Sequence, residues 1–182
     1  MTTVNLIESV AAEIKAVTKN LRLPLEYHGT RSNAVQRAVH VYEQQIPHDL
    51  FESDEYFPCC TVEFLSLHDT VRGTDVKSIA TIGLSCGVFA KESYAWRDCF
   101  HLTELCRQRL LSVRTLAEKF RLADDITWEA PPQQPTPFFI LLAELNYEIY
   151  QPQEPFSMQE PDLIDSHPPK VLKSNAFERT IR

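Results

Sequence analysis

The chain has 182 residues, 43% of them hydrophobic and 24% charged, with a net charge of −7. Those values describe one ordinary domain that can build its own core, and they argue against a dedicated nucleic-acid binder, which would carry a basic surface. Residues 1–6 lack a basic region followed by an apolar run, and the longest apolar stretch, residues 138–143, is far short of the ~20 residues a membrane helix needs, so neither a signal peptide nor a membrane span is expected.

Residues 4–20 read as an amphipathic helix, because Ile7, Val10, Ala11, Ile14 and Val17 recur at steps of three and four. Thr2 or Thr3 can cap it, and Pro24 stops it. Residues 25–33 show no period and are expected to be loop. Val35, Arg37, Val39 and Val41 alternate with Gln36, Ala38 and His40, the mark of a half-buried strand. Pro47 and the acidic stretch 49–55 are expected to form another loop.

Pro58 introduces a stronger strand, residues 59–67, in which Cys60, Val62 and Phe64 share a face. Gly73 marks a turn. Val76, Ala80, Ile82, Leu84, Cys86 and Val88 then share one parity, interrupted only by the polar Ser78. This predicts a second long strand paired antiparallel with the first. Gly83 and Gly87, on the opposite parity, are candidate bends or bulges.

Ser93 is a candidate cap for a second helix over residues 94–113, with Cys99, Leu102, Cys106, Leu110 and Val113 on its inner face. A short strand is expected at residues 126–129, then a rigid loop carrying Pro131, Pro132, Pro135 and Pro137. Residues 138–150 are the clearest strand: Phe139, Leu141, Ala143, Leu145, Tyr147 and Ile149 form an unbroken apolar row. The remaining segment, with Pro152, Pro155, Pro161, Pro168 and Pro169, has few periodic apolar positions. The expected architecture is therefore α+β, a mainly antiparallel sheet packed against two helices over residues 1–150, with a proline-bearing extended C-terminal arm at 151–182.

The chemistry-bearing residues are sparse. Cys59, Cys60, Cys86, Cys99 and Cys106 are odd in number and form no CxxC, so they read as buried free thiols in a chain folded in a reducing cytoplasm. His28, His40, His48, His68, His101 and His167 show no HxxxH spacing, and no metal site is expected. Cys99 and His101 lie two apart on a helix and point to different sides, so they form no nucleophile–base pair by themselves. Asp124-Asp125 and Glu52, Asp54 and Glu55 lack calcium-loop spacing, and no phosphate-loop or nucleophile-elbow motif occurs. No cofactor is implied.

One order of elements does stand out. Tyr56-Phe57-Pro58 leads into an apolar strand, a polar turn leads to a long strand with Ile82-Gly83, and Tyr94, Trp96 and Asp98 open a helix. That helix continues as Leu102-x-x-Leu105-x-x-x-Arg109-Leu110-Leu111, and Ile126-Thr127-Trp128-Glu129, a proline-rich gap and residues 138–150 follow. Over residues 35–150 this cadence resembles the tail terminator proteins of long-tailed bacteriophages, including minor tail proteins with a gpU-like fold. Here Ser93 stands where that family often has Gly, and the C-terminal extension is an addition to it.

The resemblance implies a virion structural protein and not an enzyme. It implies a homo-oligomer, a hexameric ring that caps the tail tube protein, stops its polymerisation, and joins the tube to the head–tail connector, with genomic DNA passing through the lumen without sequence-specific binding. Such a protein is made in the host cytoplasm and resides in the tail or neck of the virion. Candidate interface residues are Arg107, Arg109 and Arg114 on and after the second helix, Phe138 and Tyr150 at the ends of the last strand, and Pro152, Pro155 and Phe156 in the extension. Two other readings remain open: another neck or head-completion connector protein, and, from a different class, a small cytoplasmic cysteine-dependent enzyme using Cys99 or Cys106.

Overall fold

A computed structural model of the chain describes residues 3–24, 35–51, 56–73, 75–89, 96–134 and 137–149. Helix α1 spans Thr3–Thr18, and its buried stripe is Leu6, Ile7, Val10, Ala11, Ile14 and Thr18. Val17, expected on that stripe, is only half-buried, and Leu6 replaces it on the core side. The row expected as one strand at residues 35–41 divides at Val39 into β2 (Gln36–Ala38) and β3 (His40–Glu43). Strand β2 pairs antiparallel with β1 (Arg22–Pro24), whereas β3 runs parallel to β4 (Cys59–Arg72), so two different partners split the row.

The loop expected after Pro47 contains a single-turn helix, α2 (His48–Phe51). Leu50 N–H donates to the Pro47 carbonyl at 3.0 Å, and the Leu50 side chain packs on a small cluster of Tyr56, Phe57, Cys59 and Phe89. A proline fits at the start of such a turn because its missing N–H would have no partner there.

Strands β4 and β5 (Asp75–Phe89) form the expected antiparallel hairpin about Gly73, whose φ of 62° suits a residue without Cβ. Helix α3 covers Trp96–Ser112. The short strand expected at 126–129 is longer, because Phe120 and Leu122 are buried and begin β7 (Phe120–Glu129). Strand β6 (Thr115–Leu116) folds back on its start through a turn with positive φ at Ala117 and Glu118. Strand β8 spans Phe138–Ile149.

The six-stranded sheet runs β3-β4-β5-β8-β7-β6, antiparallel except for the β3–β4 pair. Helices α1 and α3 lie beside each other on one face: α1 touches β3, β4 and β6, and α3 touches β5 and β8. Between helices and sheet sits the main core, including Val10, Ile14, Ile82, Leu84, Leu102, Leu110, Leu145 and Tyr147. The fold is thus the expected α+β sandwich of a mainly antiparallel sheet under two helices, with α2 as a third, single-turn helix. Among the described residues no helix is long and apolar enough to cross a membrane.

The glycines expected to bend β5 do something else. Pairing is regular through Gly83 and Gly87, and the bulge lies in β4, where Leu65 is the extra residue between Phe64↔Ile82 and Ser66↔Thr81. Gly83 makes room for Leu65, whose Cδ2 would lie 3.2 Å from an added Cβ, and Gly87 makes room for Phe57, whose Cε1 would lie 2.7 Å away. Phe57 is buried and wedged against Tyr56 and Phe138, so it cannot yield, whereas Leu65 is exposed enough to turn aside. Gly87→Ala is therefore expected to lower stability by about 1–3 kcal/mol and Gly83→Ala by clearly less. Urea unfolding of both variants checks this, and equal losses would refute the wedge.

Candidate functional site

The end of the β4–β5 hairpin stands exposed, with Val71 67% exposed. Strand β3 accompanies β4 only to the pair Glu43↔Val62, and β8 accompanies β5 only to the pair Ile149↔Ser78. Gln44 extends the cover of β4 by one step, its side-chain Oε1 accepting from Phe64 N–H at 3.4 Å; beyond Phe64 and Ser78, among the described residues, the two strands pair only with each other. At about 3.3 Å per residue, the outer edge of β4 after the bulge is roughly 25 Å long.

The bulge also shifts parity. Before it, Cys60, Val62 and Phe64 face the helices; after it, Leu67 pairs with Ala80 and Val71 with Val76, so the odd positions take the helix-facing side. The helices do not reach that far, and Leu67, Val71 and Val76 stay 44%, 67% and 43% exposed. Three apolar side chains, with the exposed Asp69 between Leu67 and Val71, thus stand in solvent beside an unpaired strand edge, a pairing that soluble proteins usually avoid.

Among the described residues the opposite border of the sheet is unpaired over most of its length as well. Strand β6 covers only Phe120 and Arg121 of β7, and Leu122 N–H donates to the Arg114 carbonyl at 2.8 Å. No described strand lies outside Ile126–Glu129, which pair inward with β8. On the face away from the helices, beyond the second core cluster, Glu63, Glu129, Glu144 and Glu148 stand with Lys77 and Arg121 in rows held by the register, beside the exposed Leu65 and Leu142. Lys77 Nζ meets Glu148 at 2.6 Å, which lowers the Glu148 pKa, and Thr81 donates to Asn146 Oδ1 at 2.8 Å.

The candidate interface residues fall in different places. Arg107 grips Glu104 with two bonds of 2.7 Å, from Nε and Nη2, and this pairing, helped by Gln108, holds the exposed Glu104 carboxyl down to about 2. Arg109 donates from Nε to Glu13 at 2.7 Å and so ties α3 to α1. Both guanidinium groups already have partners in the chain, while Arg114 is exposed just after α3. Phe138 packs on Phe57 with ring centroids 4.6 Å apart and edge-on to Phe89 at 5.6 Å, so its contacts are those of the second core cluster. Trp128 and Phe139 are partly buried against the main core. Tyr150, Pro152, Pro155 and Phe156 lie outside the described residues.

Two exposed aromatics escaped the residue-by-residue sequence reading as surface anchors. Trp96 and Phe100, 41% and 48% exposed, stack edge-on at 5.6 Å on the first turns of α3, with the Arg97 guanidinium 5.5 Å above the Trp96 ring. Phe100 also borders an open groove of about 630 Å³ between α3 and β7, together with Glu104, Arg107, Trp128 and Leu141. Their spacing of four puts both on one helix face, off the inner face of Cys99, Leu102, Cys106 and Leu110.

The cysteines behave as expected in one respect: all five are buried free thiols. Cys99 is enclosed while His101 is exposed, so the two do face apart. Burial, then the neighbouring Cys86, pushes the Cys59 and Cys99 thiols up to about 12. Cys106 is pulled the other way, to about 5, by hydrogen bonds from Cys60 and then Cys86. Cys60, Cys86 and Cys106, far apart in sequence, are brought together with their sulfurs within 4.8 Å of one another. His40, His48, His68 and His101 are exposed and remain scattered, and His28 and His167 lie outside the described residues.

No family model matches the chain, and no curated protein matches it.

The raised thiols give a pH dependence with a definite sign. The unfolded chain ionises Cys59 and Cys99 near the ordinary 9, whereas the folded chain holds their protons to about 12. Their contribution is complete below 9 and is lost as pH rises through that window, at about 1.4 kcal/mol per pH unit for each thiol. Urea midpoints measured across this range are expected to fall less steeply for Cys59→Ala/Cys99→Ala than for the parent chain; parallel slopes would refute it.

Proposed function

We propose that the protein is a virion structural protein, a tail terminator that assembles as a closed ring on the tail tube and presents a surface to the head–tail connector. The single observation that carries this reading is the pair of sheet borders left unpaired among the described residues, the β4 edge beyond Phe64 and the β7 edge at residues 126–129. Two different edges on opposite sides of one sheet suit a heterologous, head-to-tail contact. Such a contact makes a ring when its rotation closes and a filament when it does not. Pairing one copy's β4 edge with the next copy's β7 edge would satisfy the backbone groups of both and cover Leu67, Val71 and Val76.

The order of elements from Tyr56 to Ile149 supports the same reading, since it follows the cadence of the tail terminators. A sheet face richer in carboxylates than in cations would let a DNA duplex slide past it. A thiol enzyme has less support, because Cys99 and Cys106 are both fully enclosed.

The test is to mix the full chain with assembling tail tube protein and view the product by electron microscopy. The expected outcome is tubes of limited length, each closed at one end by a single ring of this chain. Leu67→Lys/Val71→Lys is expected to weaken ring formation by about tenfold or more, with the unfolding midpoint of the isolated chain unchanged. Tubes that grow without limit in its presence, or a particle in which this chain touches no copy of itself, would sink the reading.

A further inference from the structure

We propose that Cys60, Cys86 and Cys106 form a three-sulfur site for a soft monovalent cation, Cu(I). The inference stands apart from the ring reading, since it concerns the core and not the borders. Cys60 and Cys86 are direct cross-strand partners in the β4–β5 ladder, with their sulfurs 3.6 Å apart. Cys106 reaches them from the inner face of α3, and all three sulfurs lie within 4.8 Å of one another. A metal–sulfur bond of about 2.3 Å places three trigonal ligands about 4 Å apart. The three side chains therefore surround a point that one cation can share with only small shifts. Among the described residues this is the one group of three ligating side chains so arranged.

The donor set selects the metal. Thiolates are soft ligands that favour Cu(I), Zn(II) or iron–sulfur clusters over magnesium or calcium. Zinc in a structural site asks for a fourth ligand to complete its tetrahedron. The next thiol, Cys99, is turned to the backbone instead, with its Sγ donating to the Cys86 carbonyl at 3.2 Å. Three sulfurs without a fourth suit a three-coordinate cuprous ion.

Binding exchanges metal for protons. One Cu⁺ and three thiolates give a centre of charge −2, and Cys60 and Cys86, which hold their protons in the free chain, release them to solvent, with no change of oxidation state. Affinity must then rise with pH. All three cysteines are 0% exposed, so the ion has to enter while α3 is undocked from the sheet, during folding or local opening. Once in place it would clamp α3 to the central ladder.

The experiment refolds the full chain without oxygen, with Cu(I) as the only added metal, and then washes it with a cuprous chelator. The expected result is one copper retained per chain, three sulfur neighbours by X-ray absorption, a raised melting temperature, and tighter retention at higher pH. Cys106→Ala is expected to lose the metal, and Cys99→Ala to keep it. Copper that washes out of the parent chain overturns the proposal whether or not Cys106→Ala folds. So does copper bound equally by Cys106→Ala.

Discussion

Everything else in the molecule depends on the alignment of β4, β5 and β8. Their register sets Cys60, Cys86 and Leu141 in one line, Val62, Leu84 and Ala143 in the next, and Phe64, Ile82 and Leu145 in a third. All nine side chains face the two helices. Because side chains alternate along a strand, a slip of one residue would turn a whole apolar row to solvent and a polar row into the core. The register is therefore held by burial on one side, and the polar side follows from it: Thr61 meets Ser85 at 2.8 Å and Lys77 meets Glu148 because the inner rows leave them nowhere else to stand.

The same ladder outruns the elements that cover it. Helices α1 and α3, tied by Glu13 and Arg109, shield the base of the hairpin and leave its end bare. The extra residue Leu65 reverses the parity of β4 just where cover ends, so the apolar positions of the tip stay in line with the buried row of β5 instead of alternating away from it. Leu67, Val71 and Val76 stand on a single side of the hairpin with one charge, Asp69, among them, beside the unpaired β4 edge on which the assembly reading rests.

The core carries a second economy. Three of its small positions are cysteines that converge from two strands and a helix, and a fourth, Cys99, is held to a strand carbonyl. As packing, thiols are small apolar groups that fit between sheet and helix. As chemistry, three convergent sulfurs are a soft-ligand cage. The geometry is the same for both uses, and a bound cation distinguishes them.

What the residues determined locally is considerable. Periods of two and of three to four placed α1, α3, β4, β5 and β8, because those elements bury one continuous row and the row is written in the sequence. Gly73 marked its turn, since the backbone there needs positive φ. Each of Cys60, Cys86 and Cys106 could be assigned to an inner face, but their meeting could not, because it depends on which residue of β4 stands opposite which residue of β5. Tertiary packing alone decided that β3 would run parallel to β4, that residues 35–41 would serve two sheets, and that Gly83 and Gly87 would make space for Leu65 and Phe57. It also decided that Arg109 would pair with Glu13, 96 residues away in the chain. The reason is common to all of these: local pattern fixes the side a residue faces, whereas its neighbour across a strand or helix is chosen by contacts between segments tens of residues apart.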